Sequence, residues 1–146
     1  MAVESHVANI SHVIQLAVAP VFLLTGIATI LNAENTRLGR IVDRQRVLLD
    51  KLPGLAEPET AAIHAELRIL GRRITFIYFS ILCAVVAALF VCLVVAGAFI
   101  GAMFDLEIAQ GVVALFVASM IALLASLTLF LREIFLAVRV SMQRMR

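Results

Sequence analysis

The stretch "QLAVAPVFLLTGIATILNAENTRLGRIVDRQR", residues 15–46, decides the fold. It begins as an apolar run fit for a bilayer and ends as a charged helix, with no Gly-Pro break between the two. Its polar residues keep a regular spacing. Gln15, Val18, Phe22, Thr25, Thr29, Asn32, Thr36, Gly39, Asp43, Arg46 and Asp50 follow alternating steps of three and four. Residues so spaced share one line of an α-helix. The opposite side carries Leu16, Leu23, Ile27, Ile30 and Leu31.

Composition places this stretch in a membrane. Of 146 residues, 63% are hydrophobic and 15% charged, whereas soluble chains average about 45–50% apolar and about 25% charged. Three apolar spans stand out, at residues 12–33, 74–103 and 111–131. A hydrocarbon core about 30 Å thick takes about 20 helical residues, so each span suffices. The second is long for one crossing, which implies tilt or first turns outside the lipid. A signal peptide does not fit the first span, because residues 1–11 contain no Lys or Arg and the apolar run is too long for an h-region.

The basic residues set the expected topology. Eight of the twelve fall between the first two spans (Arg37, Arg40, Arg44, Arg46, Lys51, Arg68, Arg72 and Arg73), and Arg132, Arg139, Arg144 and Arg146 follow the third. The bias of Lys and Arg toward the cytoplasm puts residues 34–73 and the C-terminus inside, and the N-terminus and the 104–110 loop outside.

Residues 34–73 read as a helical hairpin. "NTRLGRIVDRQRVLLDKL" aligns Leu38, Ile41, Leu48 and Leu52, and "PETAAIHAELRILGRRI" aligns Ile63, Leu67, Leu70 and Ile74. Between them "LPGLAEPE" supplies two prolines and a glycine, which stop one helix and start another. The expected fold is therefore all-α: three transmembrane helices, a cytoplasmic antiparallel hairpin between the first and second, and an amphipathic C-terminal segment over residues 132–146 that either continues the third helix or lies at the interface. The chain reads as a single membrane domain.

The stripe on the first helix has two readings. In one, Thr25, Thr29 and Asn32 hydrogen-bond to neighbouring helices, or the threonines bond back to their own. In the other, copies of the helix surround an axis. Gln15, Val18, Phe22, Thr25, Thr29, Asn32 and Thr36 then line a pore or an oligomer seam, with Val18 and Phe22 as an apolar constriction. Pro20 in the same span is a packing kink or a gating hinge. Gly26 allows close approach near the stripe.

Other groups point to packing and anchoring. Gly97 and Gly101 form a GxxxG, and Ala114, Ala118, Ala122 and Ser126 put a small residue at every fourth position; Gly97, Gly101, Ala118 and Ala122 are the expected helix-packing residues. Arg37, Arg40, Arg72 and Arg73 are the expected contacts to lipid headgroups. Glu34, beside Asn35, is expected at the interface rather than in the core. Cys83 and Cys92 lie nine residues apart on one helix, about 13 Å, too far to bridge. His6 and His12, with Glu4 nearby, lack a ligand spacing. Asp105 and Glu107 read as a solvated outer turn or an acidic vestibule. No nucleophile triad, phosphate-binding glycine loop or CxxC pair occurs, so neither an enzyme nor a cofactor or metal is expected, and no nucleic-acid partner.

The run from Ile14 to Arg46 followed by "LGRRI" resembles a bacterial membrane family known as domain of unknown function 2721. The matching residues are Gln15, Pro20, Gly26, Asn32, Arg37, Arg40, Asp43, Arg44, Arg72 and Arg73, and the likeness covers residues 10–135. It implies a small multi-pass protein of a Gram-negative inner membrane and no particular activity; with the topology set by the basic residues, the N-terminus is expected in the periplasm. From the residues themselves the leading expectation is an oligomeric membrane assembly forming a passive channel for ions or small solutes. The alternative is a non-conducting scaffold whose hairpin binds a soluble protein. The expected partners are the bilayer, further copies of the chain and, in the second case, that protein.

Overall fold

A computed structural model describes the backbone of residues 2–53, 56–104 and 109–144, and the side chains of residue 15 and of 18–137 within those segments. Among the described residues the chain is three helices: α1 (Ala2–Lys51), α2 (Glu57–Phe104) and α3 (Ala109–Arg144). All three are long and apolar enough to cross a bilayer, and the protein is a membrane protein. The segment after Leu131 continues α3 as helix to Arg144.

The breaks between helices follow from local chemistry. Pro53 has no N–H to continue the helical ladder, and its ring disfavours helical geometry at Leu52. The last turn of α1 accordingly tightens, with Leu52 N donating to Leu49 O at 3.2 Å. Ala56 opens α2 by accepting from Glu59 N at 3.0 Å and Thr60 N at 3.1 Å. Glu57 and Glu59 stand in that first turn, where carboxylates complement the helix dipole.

Among the described residues, the buried ones of each helix recur at sevens. On α1 they are Ile27, Glu34, Ile41 and Leu48. On α2 there are two such rows: Leu70, Ile77, Ala84 and Val91, and three residues away Ser80, Ala87 and Val94. On α3 the row is Ser119, Ser126 and Glu133. A repeat of seven keeps one seam facing its partners along left-handed packed helices.

The chain divides into two compact units. One contains residues 1–30 and 83–125, the other residues 31–82 and 126–146. In the first unit Gly97 packs against α3 so closely that a Cβ would lie 3.2 Å from Val112 Cγ2. Small side chains allow such approach where lipid offers no hydrophobic drive between helices. Gly101, Ala118 and Ala122 are half-buried there, but Ala114 is exposed. The every-fourth small line of α3 is thus only partly the packing face. Pro20 stands in unbroken helix and, with Ala19, Val94, Ala98, Val113 and Phe116, borders an apolar cavity of ≈330 Å³.

In the second unit Ile41, Leu48, Leu70 and Ile77 form one core, with Leu38, Ile63, Leu67, Ile74 and Ile81 packed on it. The cluster holds the aligned apolar residues of the two arms except Leu52, and extends them to Ile77 and Ile81. Arg44 clasps the arms from outside, donating from Nε at 3.1 Å and Nη2 at 3.0 Å to Glu66 Oε1. Outward-facing residues are apolar over long stretches, among them Tyr78, Phe79, Leu82, Leu89 and Leu93 on α2 and Val113, Ile121, Leu124 and Leu131 on α3. Exposed apolar side chains in such number suit contact with lipid.

Candidate functional site

The second unit holds two polar layers on its buried face, and both arise from the seven-residue rows. The first joins Glu34 of α1, Ser80 of α2 and Ser126 of α3. Glu34 is fully buried. The hydroxyl of Ser80 meets Glu34 Oε1 in a short hydrogen bond. The same Oγ lies 2.7 Å from the carbonyl of Ser126 and 3.3 Å from its hydroxyl. A serine hydroxyl carries one proton, so it donates to only one of these acceptors at a time. Glu34 Oε2 is buried and has no hydrogen-bond partner among the described residues. Glu34, expected at the interface beside Asn35, is thus enclosed within the protein. The acid meets the hydroxyl of Ser80 on α2, and that hydroxyl in turn lies against Ser126 of α3.

The second layer lies seven residues earlier on α2 and seven later on α3, about 10.5 Å at the helical rise. Glu133 of α3 is fully buried and receives Arg73 of α2, whose Nε and Nη2 donate to Oε1 at 3.1 and 2.7 Å. Arg37 of α1 sets its Nη2 2.8 Å from Glu133 Oε2, an ion pair whose angle departs from hydrogen-bond geometry. One carboxylate thereby spans two guanidiniums from two other helices. The Arg37 guanidinium also stands 5.4 Å from the centre of the Phe130 ring, within range of a cation–π attraction. A buried carboxylate is costly unless paired, and two arginines supply that pairing.

The four arginines expected at headgroups separate into two settings. Arg37, Arg40 and Arg73, with Ile41, line an open cavity of ≈290 Å³. Arg72 does not line it; its guanidinium stands 5.9 Å from the Phe76 ring, which Arg132 also approaches at 6.0 Å. Sequence reading missed Ser80, Glu133 and the burial of Glu34. The signal was present: continuing the seam of Leu48 and Ile41 back by sevens reaches Glu34 and Ile27.

Every described residue of the α1 stripe is exposed, from Gln15 and Val18 through Phe22, Thr25, Thr29, Asn32 and Thr36 to Asp43, Arg46 and Asp50. Phe22 is 73% exposed. The threonine hydroxyls are satisfied on their own helix: Thr25 donates to Val21 O at 3.4 Å, Thr29 to Thr25 O at 3.0 Å and Thr36 to Asn32 O at 2.9 Å. Gly26 has open space where a Cβ would stand. Cys83 and Cys92 are unbridged. The side chains of Glu4, His6 and His12, and residues Asp105 and Glu107, lie outside the described residues, as do the side chains of Arg139, Arg144 and Arg146. Among the described residues no three His, Cys, Asp or Glu side chains are grouped to hold a metal.

A family model described as "Protein of unknown function (DUF2721)" matches residues 17–142. No curated protein and no solved structure matches the chain.

Proposed function

The chain belongs to the DUF2721 family, whose description carries no activity, and from the geometry we propose that it is a self-associating inner-membrane protein whose α1 stripe meets the same stripe on other copies. In that assembly the stripe lines a passive passage for ions or small solutes, and no covalent chemistry is involved. The N-terminus is periplasmic; residues 34–73 and the C-terminus are cytoplasmic, following the basic residues.

One observation supports the reading above the rest. The stripe is exposed along its whole described length, while the opposite side of α1 is consumed by contacts within the chain at Ile27, Glu34, Ile41 and Leu48. Along a helix, Asn32 precedes Arg37 by about 7.5 Å and Thr25 precedes it by about 18 Å. With Arg37 at headgroup level, Asn32 and Thr25 stand within the hydrocarbon. The threonines tolerate lipid because they bond to their own helix. An exposed asparagine amide does not, since polar groups at that depth face protein or water. A second copy or a water-filled axis meets that need. Phe22, exposed further along the line, supplies the apolar constriction.

The test is flux in proteoliposomes. Wild-type protein passes a small ion or solute, and Thr25→Leu or Thr29→Leu stops flux while cross-linked oligomers persist. Absence of flux from a correctly assembled wild-type protein defeats the channel.

A second reading has its own observation. Val47, Leu49 and Ile69 are exposed on the cytoplasmic arms of α1 and α2, outside the lipid in this topology. Apolar side chains there favour a scaffold that docks a soluble protein. Val47→Ser with Ile69→Ser then removes function, and changes along the stripe weaken only assembly.

A further inference from the structure

We propose that the cavity formed by Arg37, Arg40 and Arg73 is a binding site for the phosphate headgroup of an anionic phospholipid, one molecule per chain. The inference is independent of the channel reading.

Three observations carry it. The first is convergence: two arginines of α1 and one of α2 line a single cavity of ≈290 Å³ together with Ile41. A guanidinium offers five N–H groups in a planar fork that matches phosphate oxygens. The second is preorganisation. Glu133 fixes Arg73 through two contacts on one oxygen and Arg37 through one contact on the other, and Phe130 lies against the Arg37 guanidinium. These pairings leave most N–H groups of both arginines free for a ligand, and holding the forks in place lowers the ordering cost of binding. The third is charge. Glu133 offsets one of the three guanidiniums, so the group keeps a net charge of +2. Arg40 is exposed and stands outside the Glu133 pairing, so its fork is available to the ligand.

The position on the chain selects a lipid as the phosphate's source. The arginines begin where the apolar run of α1 ends, in "NAENTRLGR". Ile41 gives the cavity an apolar wall. A headgroup in the cavity keeps its tails in the bilayer. Arg72, one residue from Arg73, faces Phe76 instead, and so provides a control of equal charge outside the site.

The experiment uses the full chain in nanodiscs of phosphatidylcholine alone or with phosphatidylglycerol, read by native mass spectrometry for retained lipid and by titration of phosphatidylglycerol against a thermal melt. The expected result is one retained phosphatidylglycerol and a raised melting temperature. Arg40→Gln weakens the binding about tenfold or more, the loss of a charge-assisted contact, and Arg72→Gln does not. Arg40→Gln melts as the wild type in phosphatidylcholine, which excludes misfolding as the cause. Equal losses in Arg40→Gln and Arg72→Gln mean a diffuse basic surface and overturn the site. Inorganic phosphate that raises the melt in detergent and displaces phosphatidylglycerol, with no retained lipid, makes a free anion the ligand and overturns the lipid. No stabilisation by either probe overturns the proposal altogether.

Discussion

Glu133 is the residue whose loss should cost this protein most. Its carboxylate is fully buried and holds Arg73 by contacts of 3.1 and 2.7 Å and Arg37 at 2.8 Å. Glu133→Gln keeps the shape but removes the charge, and it leaves two guanidiniums facing a neutral amide. Removing one partner of a buried ion pair costs about 3–5 kcal/mol. The Arg37 side chain is 33% exposed and that of Arg73 18%, so water offsets part of the penalty and the lower end, about 3 kcal/mol, is the working value. At about 2–4 °C per kcal/mol for a chain of this size, the melt falls by about 6–12 °C. The assay is a thermal melt of purified protein in nanodiscs of constant lipid. A double-mutant cycle with Arg73→Gln should then give a coupling of about 1–3 kcal/mol, because the second substitution removes a charge the first had left unpaired. A Glu133→Gln melt within 2 °C of the wild type, with strictly additive substitutions, refutes the reasoning.

Three further outcomes follow from the same packing. Ser80→Ala leaves Glu34 without its hydrogen bond and should cost about 1–3 kcal/mol in a melt, a loss that Ser80→Ala with Glu34→Leu recovers by removing the stranded acid. Gly97→Leu forces a side chain into the space held against Val112 and should cost about 1–3 kcal/mol, whereas Gly26→Leu, facing open space within the chain, should leave the monomer's melt unchanged and reduce cross-linked oligomer. Arg44→Gln breaks only the exposed clasp to Glu66 and should shift the melt by under about 1 kcal/mol; a larger loss would mean the clasp is part of the core.

How much of this was legible depended on whether residue type and residue position agreed. The three apolar spans and the aligned leucines and isoleucines of residues 38–74 carry their assignment in their chemistry, and they lie in helices long enough to span a bilayer or packed in one cluster. The stripe was equally legible, since threonines and an asparagine stand out in an apolar run. The burial of Glu34 went unread because acids normally avoid cores; its position in the row of Ile27, Ile41 and Leu48 outweighed its type. Ser126 was visible as a small residue of an every-fourth line, yet the buried row of α3 is Ser119, Ser126 and Glu133. Both spacings fit the same sequence, and only packing against the other helices chooses between them. Arg72 and Arg73 are adjacent and alike; that Arg73 falls seven before Ser80 directs it inward to Glu133. On the last part of α3 the apolar Leu131 and Phe135 face outward while Glu133 is buried, the reverse of a soluble helix.

The central claim is that the exposed line of α1 is the contact between copies, and a cysteine scan tests it most directly. In a Cys83→Ser, Cys92→Ser background, single cysteines at each position from 21 to 36 are oxidised in native membranes and dimers are counted. The account predicts cross-linking maxima at positions 22, 25, 29, 32 and 36, with minima on the buried side at 27 and 34. Uniformly low cross-linking, or maxima on any other face of α1, contradicts it.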